Sequence, residues 1–353
     1  MPDLFAFLRS RRHKNSKFWF YVRNLWYYLL PRPLIRRRLG AQLAKAGRFD
    51  PEYIAMRVNY YNRLASGTDA GWWRNLPPDL MADRIERVAE RTERVGDFHF
   101  EKQWKPSTLF FDFYAQMRYF PAAGHFTFLP YDNPGVPPVP ALVKSRPLVR
   151  PELGVEDNSR AVVHKLDALR HFTFVKDRRS FASKENRLVG RCAVYQEHRI
   201  RFFEKYFGHP LCDLGQINRH KTRHPEWIAP KMPLDDHLRY KFILCLEGND
   251  VASNLKWVMS SNSLAVMPRP RCETWFMEGT LQPNVHYVTI KEDYSDLEER
   301  LEYYIGHPDE AQEIIENAHR FIAPFRNAAR EKLIGLLVLQ KYFMNTGQAE
   351  IFS

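Results

Sequence analysis

Residues 242–267 read FILCLEGNDVASNLKWVMSSNSLAVM, two apolar runs around a polar turn that holds Gly248, Asn249, Asp250 and Ser253. A glycine lets the backbone come close to a ligand, and a helix beginning near Val251 would aim N–H donors at an anion. Val251, Ala252, Ser253 and Asn254 would make its first turn, with Ser253 adding a hydroxyl and Lys256 a charge. Diphosphate is the guest that suits this chemistry. The turn is not GxGxxG, and no GxxxxGK[ST] occurs, so the usual dinucleotide and P-loop readings fail. A plain strand-to-helix connection is the alternative. Two carboxylates could carry proton chemistry: Asp132 in FLPYDNPGVP and Asp112 in FFDFY. A carboxylate in an Asn-Pro-Gly turn is more often a turn former.

The elements that would position these residues are clearest after residue 186. RLVGRCAV, YKFILCLE, SLAVMP and VHYVTI read as strands; QEHRIRFFEKYF, VASNLKWVMSS, RCETWFMEG and SDLEERLEYYIG read as helices, the last with a capping box of Ser295 and Glu298. PDEAQEIIENAHRFI follows with Pro308 in its first turn, and AREKLIGLLVLQKYF is one more helix. Strands alternating with helices mean an α/β fold whose parallel sheet is covered on both faces. Ligands of such a sheet sit beyond the carboxyl ends of its strands, where Gly248 falls. Upstream, residues 51–100 read as helical, including PDLMADRIERVAERTERVG, whereas STLFFDFYAQMRYF and HFTFLPYDNPGVPPVP read as aromatic-rich strands.

At 353 residues the chain suits two packed domains. The expected divisions are a basic aromatic segment over 1–50, an N-terminal domain over 51–185, a C-terminal domain over 186–325, and a helix over 326–353 that packs back on the body. Charge is concentrated at one end. Residues 1–48 hold twelve of the 53 Lys and Arg against a single acid, and so carry +11 of the net +12. Within them KFWFYVRNLWYYLLPRPLIRRR packs seven aromatic residues from Phe18 to Tyr28 among arginines. Aromatic rings favour the headgroup region and basic residues favour anionic leaflets, so this segment is expected to lie on a membrane surface. A helix packed on the body with solvated arginines is the alternative. The near-neutral remainder argues against nucleic acid as partner. Cys192, Cys212, Cys245 and Cys272 are too widely spaced for a zinc site and read as reduced thiols. With no signal-peptide pattern, a cytoplasmic protein on the inner face of the membrane is the expectation.

RYKFILCLEGNDVASNLKW, SLAVM, ETWFMEGTLQPNVHYVTIKEDYSDLEERL and AQEIIENAHRFI, in this order and spacing, resemble the C-terminal half of glycosyltransferase family 90. That family includes bacterial lipopolysaccharide-modifying transferases, fungal capsule-associated xylosyltransferases and protein O-glucosyltransferases. The resemblance covers about 186–325, is weaker over 100–150 and is absent from 1–50. It implies a GT-B fold, two Rossmann-like domains facing a cleft, with the donor nucleotide in the C-terminal one and inversion without a metal. The chain has no Asp-x-Asp pair for a cation, in keeping with this. Gly190 and Arg199 match the family's phosphate-binding segment, Glu273 falls in the ETWFMEG stretch, His286 and Tyr287 match the family's HYI strand end, and Asp293 the acid after it. Where eukaryotic members carry an arginine after the glycine turn, this chain has Asn254, with Lys256 as a possible replacement. Asp132 resembles the aspartate of the family's NVRDYPQ turn, implying a general base for the acceptor hydroxyl, with Asp112 as competitor.

The resemblance thus implies an inverting, metal-independent transferase that moves a sugar from a UDP-sugar to a lipopolysaccharide or other membrane-associated glycan, with no cofactor besides the donor. A protein acceptor in the endoplasmic reticulum is opposed by the C-terminal EIFS and the sparse cysteines. A non-catalytic membrane scaffold with a degenerate nucleotide site is the rival that Asn254 keeps open.

Overall fold

The computed structural model describes residues 13–68, 70–71, 92–100, 106–132, 135–220 and 222–353. The helix expected from 78 to the stop at Gly96 lies outside the described residues as far as 91, and its end is not helical: Thr92–Arg94 form a strand paired antiparallel with His125–Thr127. The Asn133-Pro134 step beside Asp132 also lies outside the described residues. In chain order the described strands are β1 (Thr92–Arg94), β2 (His125–Leu129), β3 (Ala141–Val143), β4 (Ser145–Pro147), β5 (Ala161–Val163), β6 (Glu185–Cys192), β7 (Cys212–Gln216), β8 (Tyr240–Leu244), β9 (Leu264–Met267), β10 (Cys272–Thr274) and β11 (Val288–Thr289). The chain forms two compact units. An N-terminal unit takes the described residues of 16–169 together with 271–277 and 327–353; a C-terminal unit takes 170–270 and 278–326 together with 13–15.

In the N-terminal unit the sheet runs β1-β2-β3-β5 and is antiparallel only between β1 and β2. β2, β3 and β5 are almost wholly apolar, as parallel strands covered on both faces must be, and Phe126, Phe128, Leu142 and Val162 are fully buried. Residues 107–117, expected as a strand, form the helix Ser107–Met117. Eight of its eleven residues are buried, so its apolar run wraps around the cylinder, and Phe113 stacks on Phe128 at 4.1 Å. Aromatic content suggests a strand, but all-round burial favours a helix whose backbone bonds are internal. The helix Pro51–Tyr61 starts at Asp50, whose carboxylate accepts from the Glu52 N–H at 2.9 Å, and Ala328–Asn345 packs along it. Between them the buried Arg57 meets Glu331 at 3.2 Å.

RCETWFMEG is not a helix. Its first part is β10, antiparallel to β4 with Glu273 opposite Arg146, and a short 3-10 turn follows at Glu278–Thr280. Residues 271–277 of this segment belong to the N-terminal unit, and Glu278 to the C-terminal one. The helix Lys17–Leu29 begins at Ser16, whose hydroxyl accepts from the Trp19 N–H, and rests on the unit through Phe20 and Asn24. Arg32 donates to the carbonyls of Val95, Gly96 and Phe98, and Arg36 to that of Phe120. These two cations of the basic segment thus fasten it to the body. Among the described residues no helix is long and apolar enough to cross a membrane.

The C-terminal unit is built on a wholly parallel sheet ordered β11-β9-β8-β6-β7. Numbered from β6, this is the 2-1-3-4-5 order of a flavodoxin-like sheet, whose direction of winding reverses between β6 and β8. The helices Glu197–Tyr206, Leu297–Gly306 and Pro308–Ile322 form as the sequence suggests. The expected capping box does not: Asp296 is the N-cap and makes no side-chain cap bond, its carboxylate instead accepting from the Lys291 N–H at 2.8 Å. The helix expected from Val251 starts only at Leu255 and spans four residues, leaving 248–254 as loop. All four cysteines are free thiols.

Candidate active site

Residues 193–196 leave the carboxyl end of β6 and lead into the helix Glu197–Tyr206, whose first turn holds Arg199, and 245–254 leave that of β8, so the two loops flank the point where the sheet reverses its winding. Ligands of open α/β sheets bind in that crevice. Arg199 laces the loops together. Its Nε donates to the Glu247 carbonyl at 2.8 Å, Nη1 to that of Ala193 at 2.7 Å and Nη2 to that of Leu246 at 2.8 Å. His198 bonds the Glu247 carbonyl as well, and Gln196 donates to Asn249. A Cβ built on Gly248 would lie 3.4 Å from Nη2 of Arg199, so the guanidinium sits directly over the glycine. Asn254 donates from Nδ2 to the Leu244 carbonyl at 2.9 Å and closes the loop onto the end of β8. Val251 and Ala252 are buried beneath the loop and Ser253 is half-buried on it.

Arg199, Gly248, Ser253 and Asn254 thus share one place, presenting a cation and loop N–H groups beyond the sheet. Asp293 lies past β11 on the same edge. Its neighbour Tyr294 donates to the His198 carbonyl at 3.0 Å, and the Ser295 N–H and hydroxyl hold the Asp293 carboxyl below its ordinary range. Beside the crevice, at the carboxyl ends of β6 and β7, a cavity of about 170 Å³ is lined by Tyr195, Gln216, His224 and Trp227 among others. Sequence reasoning passed over it, although HPEW, a histidine stacked on a tryptophan at 3.8 Å, is an aromatic signal.

Other expected donor residues lie apart from the crevice. Gly190 is a packing glycine: a Cβ there would come within 2.9 Å of Leu214 and 3.0 Å of Leu244. Lys256 points into the core, where its ammonium meets Glu278 at 2.6 Å with both side chains closed to solvent. By register Val288 is level with Val266 and Leu244, which sets His286 toward the amino edge of the sheet. There its Nδ1 accepts from the Gln282 N–H and burial lowers its pKa. Tyr287 is wholly buried. Glu273 belongs to the N-terminal unit, its buried carboxylate held by Arg146 at 2.7 Å and by the Tyr60 hydroxyl.

In the N-terminal unit the two candidate bases differ in setting. Asp132 lies just past β2, and Lys144 just past the parallel β3, so both stand at the carboxyl edge of that sheet. They form an ion pair in which Lys144 is 5% and Asp132 38% exposed. The lysine, a charge inside the apolar run ALVKS, holds an exposed carboxylate at a sheet edge. Asp112 is on the Ser107–Met117 helix, not on a strand, and its Oδ2 accepts from the Ala168 N–H at 2.7 Å. Burial pushes its pKa up to about 7, with Asp167 adding to the shift and the Ala168 N–H opposing it.

The glycosyl transferase family 90 model matches residues 174–330. O-glucosyltransferase LpsA of Dichelobacter nodosus is 40% identical over 330 residues, covering 92% of this chain and 94% of that protein. Protein O-glucosyltransferase 1 of Homo sapiens is 31% identical over 96 residues, 27% of this chain and 24% of that protein. An uncharacterized protein, 027R, of Frog virus 3 is 31% identical over 121 residues, 33% of this chain and 12% of its own length.

Proposed function

Because the chain belongs to glycosyltransferase family 90, we propose that it transfers glucose from UDP-glucose to a lipopolysaccharide or another membrane-associated glycan, inverting the anomeric centre without a metal. The observation that carries the reading is the crevice at the winding reversal between β6 and β8, where Arg199 overlies Gly248. Three of the five N–H donors of that guanidinium bond carbonyls, which leaves two for diphosphate oxygens. The loop N–H groups of 248–254 and the Ser253 hydroxyl supply the rest of the anion cradle, a task that falls to a cation in transferases carrying an Asp-x-Asp pair. Glucose as the sugar is supported by the name of the 40% identical relative.

The acceptor hydroxyl loses its proton as it attacks the anomeric carbon. Asp132 takes it, and Lys144 positions the carboxylate and offsets its charge. This is the division of labour of a GT-B enzyme, with donor in the C-terminal unit and acceptor base in the N-terminal one. An amphiphilic acceptor on the cytoplasmic face of the inner membrane fits the outward face of the helix Lys17–Leu29, where Phe18, Trp19, Trp26 and Leu29 are each about two-thirds exposed.

The test is a panel of UDP-sugars presented to the purified protein with and without EDTA. UDP-glucose should be hydrolysed slowly in both conditions, and UDP at a hundredfold its Kd should add about 2.7 kcal/mol of stability. Failure of every UDP-sugar to bind, or a strict need for Mg²⁺ or Mn²⁺, would count against the reading.

A further inference from the structure

A second cluster of cations, remote in sequence from the donor loop, surrounds a cavity of about 340 Å³ in the N-terminal unit. Arg38, Lys45, Arg118 and Lys332 line it, together with Tyr27 and Gln42, and no acidic side chain does so among the described residues. Arg118 is the anomaly. It is only 3% exposed, yet neither Nη1 nor Nη2 has a hydrogen-bond partner among the described residues. Its guanidinium carbon lies 5.7 Å from the ring centroids of Tyr27 and Tyr114, contacts that hold the cation but satisfy no N–H. Lys45 donates to Gln42 and Lys332 to the Tyr119 hydroxyl, each at 2.8 Å, so both use neutral acceptors. Burial keeps the Arg118 pKa below the ordinary guanidinium value.

Buried guanidinium donors are normally paired, and four cations around one cavity, with no acid among its described lining residues, repel one another. Both costs disappear when an anion with several acceptor oxygens enters. We propose that this cavity binds a phosphate group, supplied by the head group of an anionic membrane lipid. Phosphate matches the planar fork of arginine and accepts from several donors at once. The lipid source follows from place: Tyr27 belongs to the helix Lys17–Leu29, and Leu30, also on the cavity wall, follows it directly. That helix shows Phe18, Trp19, Val22, Leu25, Trp26 and Leu29 to solvent along one face. Aromatic side chains at headgroup depth beside a basic cavity are what a phospholipid surface would engage. The lipid source rests on the membrane reading above; the anion site does not.

The experiment uses the full chain, with inorganic phosphate and glycerol 3-phosphate as soluble probes in thermal unfolding. Co-sedimentation is measured with vesicles of phosphatidylcholine alone and with added phosphatidylglycerol. Arg118→Gln tests the buried fork, and Arg38→Ser with Lys45→Ser tests the rim without touching the core. With UDP present to fill the donor loop, both soluble probes should raise the melting temperature of the wild type and leave that of the variants nearly unchanged. Affinity for phosphatidylglycerol vesicles should fall by ~10-fold or more in either variant, as for loss of a charged hydrogen bond. Folded variants that keep both the stabilisation and the vesicle affinity would overturn the proposal. Soluble stabilisation without vesicle binding would support the cavity, assign it a soluble phosphate compound, and sink the membrane reading alone. Should Arg118→Gln fail to fold, the rim variant decides by the same readouts.

Discussion

Lys256 separates two accounts of the donor loop. Its chemistry in the sequence suits a diphosphate, but in the fold its ammonium lies 2.6 Å from Glu278, with side chains 0% and 1% exposed. Lys256→Met keeps most of the length and the apolar stem while taking the ammonium away from the buried Glu278 carboxylate. Breaking a buried pair from one side costs about 3–5 kcal/mol, a large part of a domain's stability. At roughly 2–4 °C per kcal/mol for a unit of this size, the melting temperature should drop on the order of 10 °C. The double variant Lys256→Met/Glu278→Leu should recover most of that loss, because apolar residues of similar volume replace buried ion pairs at little cost. UDP affinity of the folded fraction should change little. Thermal unfolding and UDP titration of the wild type, the single and the double variant give all three quantities. A single variant that melts like the wild type but binds UDP more weakly by ~1–3 kcal/mol, the range for a lost charged hydrogen bond, would refute the argument and return Lys256 to the diphosphate.

The two candidate bases separate by similar means. Asp132→Asn keeps shape and turn hydrogen bonds but cannot take a proton, so UDP binding should survive while transfer slows by ~10²-fold or more; full activity would remove Asp132 as base. For Asp112, the folded pKa of about 7 lies above the ordinary carboxyl value near 4. The folded state therefore holds this proton more tightly, and the associated stability, complete below about pH 4, is lost as pH rises toward 7. Asp112→Asn should flatten that fall in urea unfolding midpoints measured across the window, and an unchanged slope would show that other groups titrate there.

Local pattern determined much of this protein. The apolar runs of β6, β8 and β9 and the 3.6 periodicity of the helices from Glu197 and Pro308 stand within a few residues of sequence, so these elements could be read directly, as could a turn at Gly248, though not that the chain stays in a loop as far as Leu255. The basic and aromatic character of the segment near the N-terminus was legible too, because those residues are neighbours in sequence; which of them face solvent was not. Tertiary structure decided everything that depends on a distant partner. The 2-1-3-4-5 strand order, which sets Arg199 beside the Gly248 loop, arises from pairing and not from any local signal. β10 is a strand because β4 lies 127 residues earlier to receive it, with Arg146 against Glu273. The Ser107–Met117 run became a helix because it is buried on nearly all sides. The fates of the cations followed the same rule. Lys256 found Glu278 inside, Arg32 and Arg36 found backbone carbonyls, and Arg118 was enclosed with no hydrogen-bond partner for its terminal nitrogens among the described residues. A charged side chain reads alike in sequence wherever it stands; what it does is set by which groups the packed chain brings within about 3 Å of it, at the distance of a hydrogen bond.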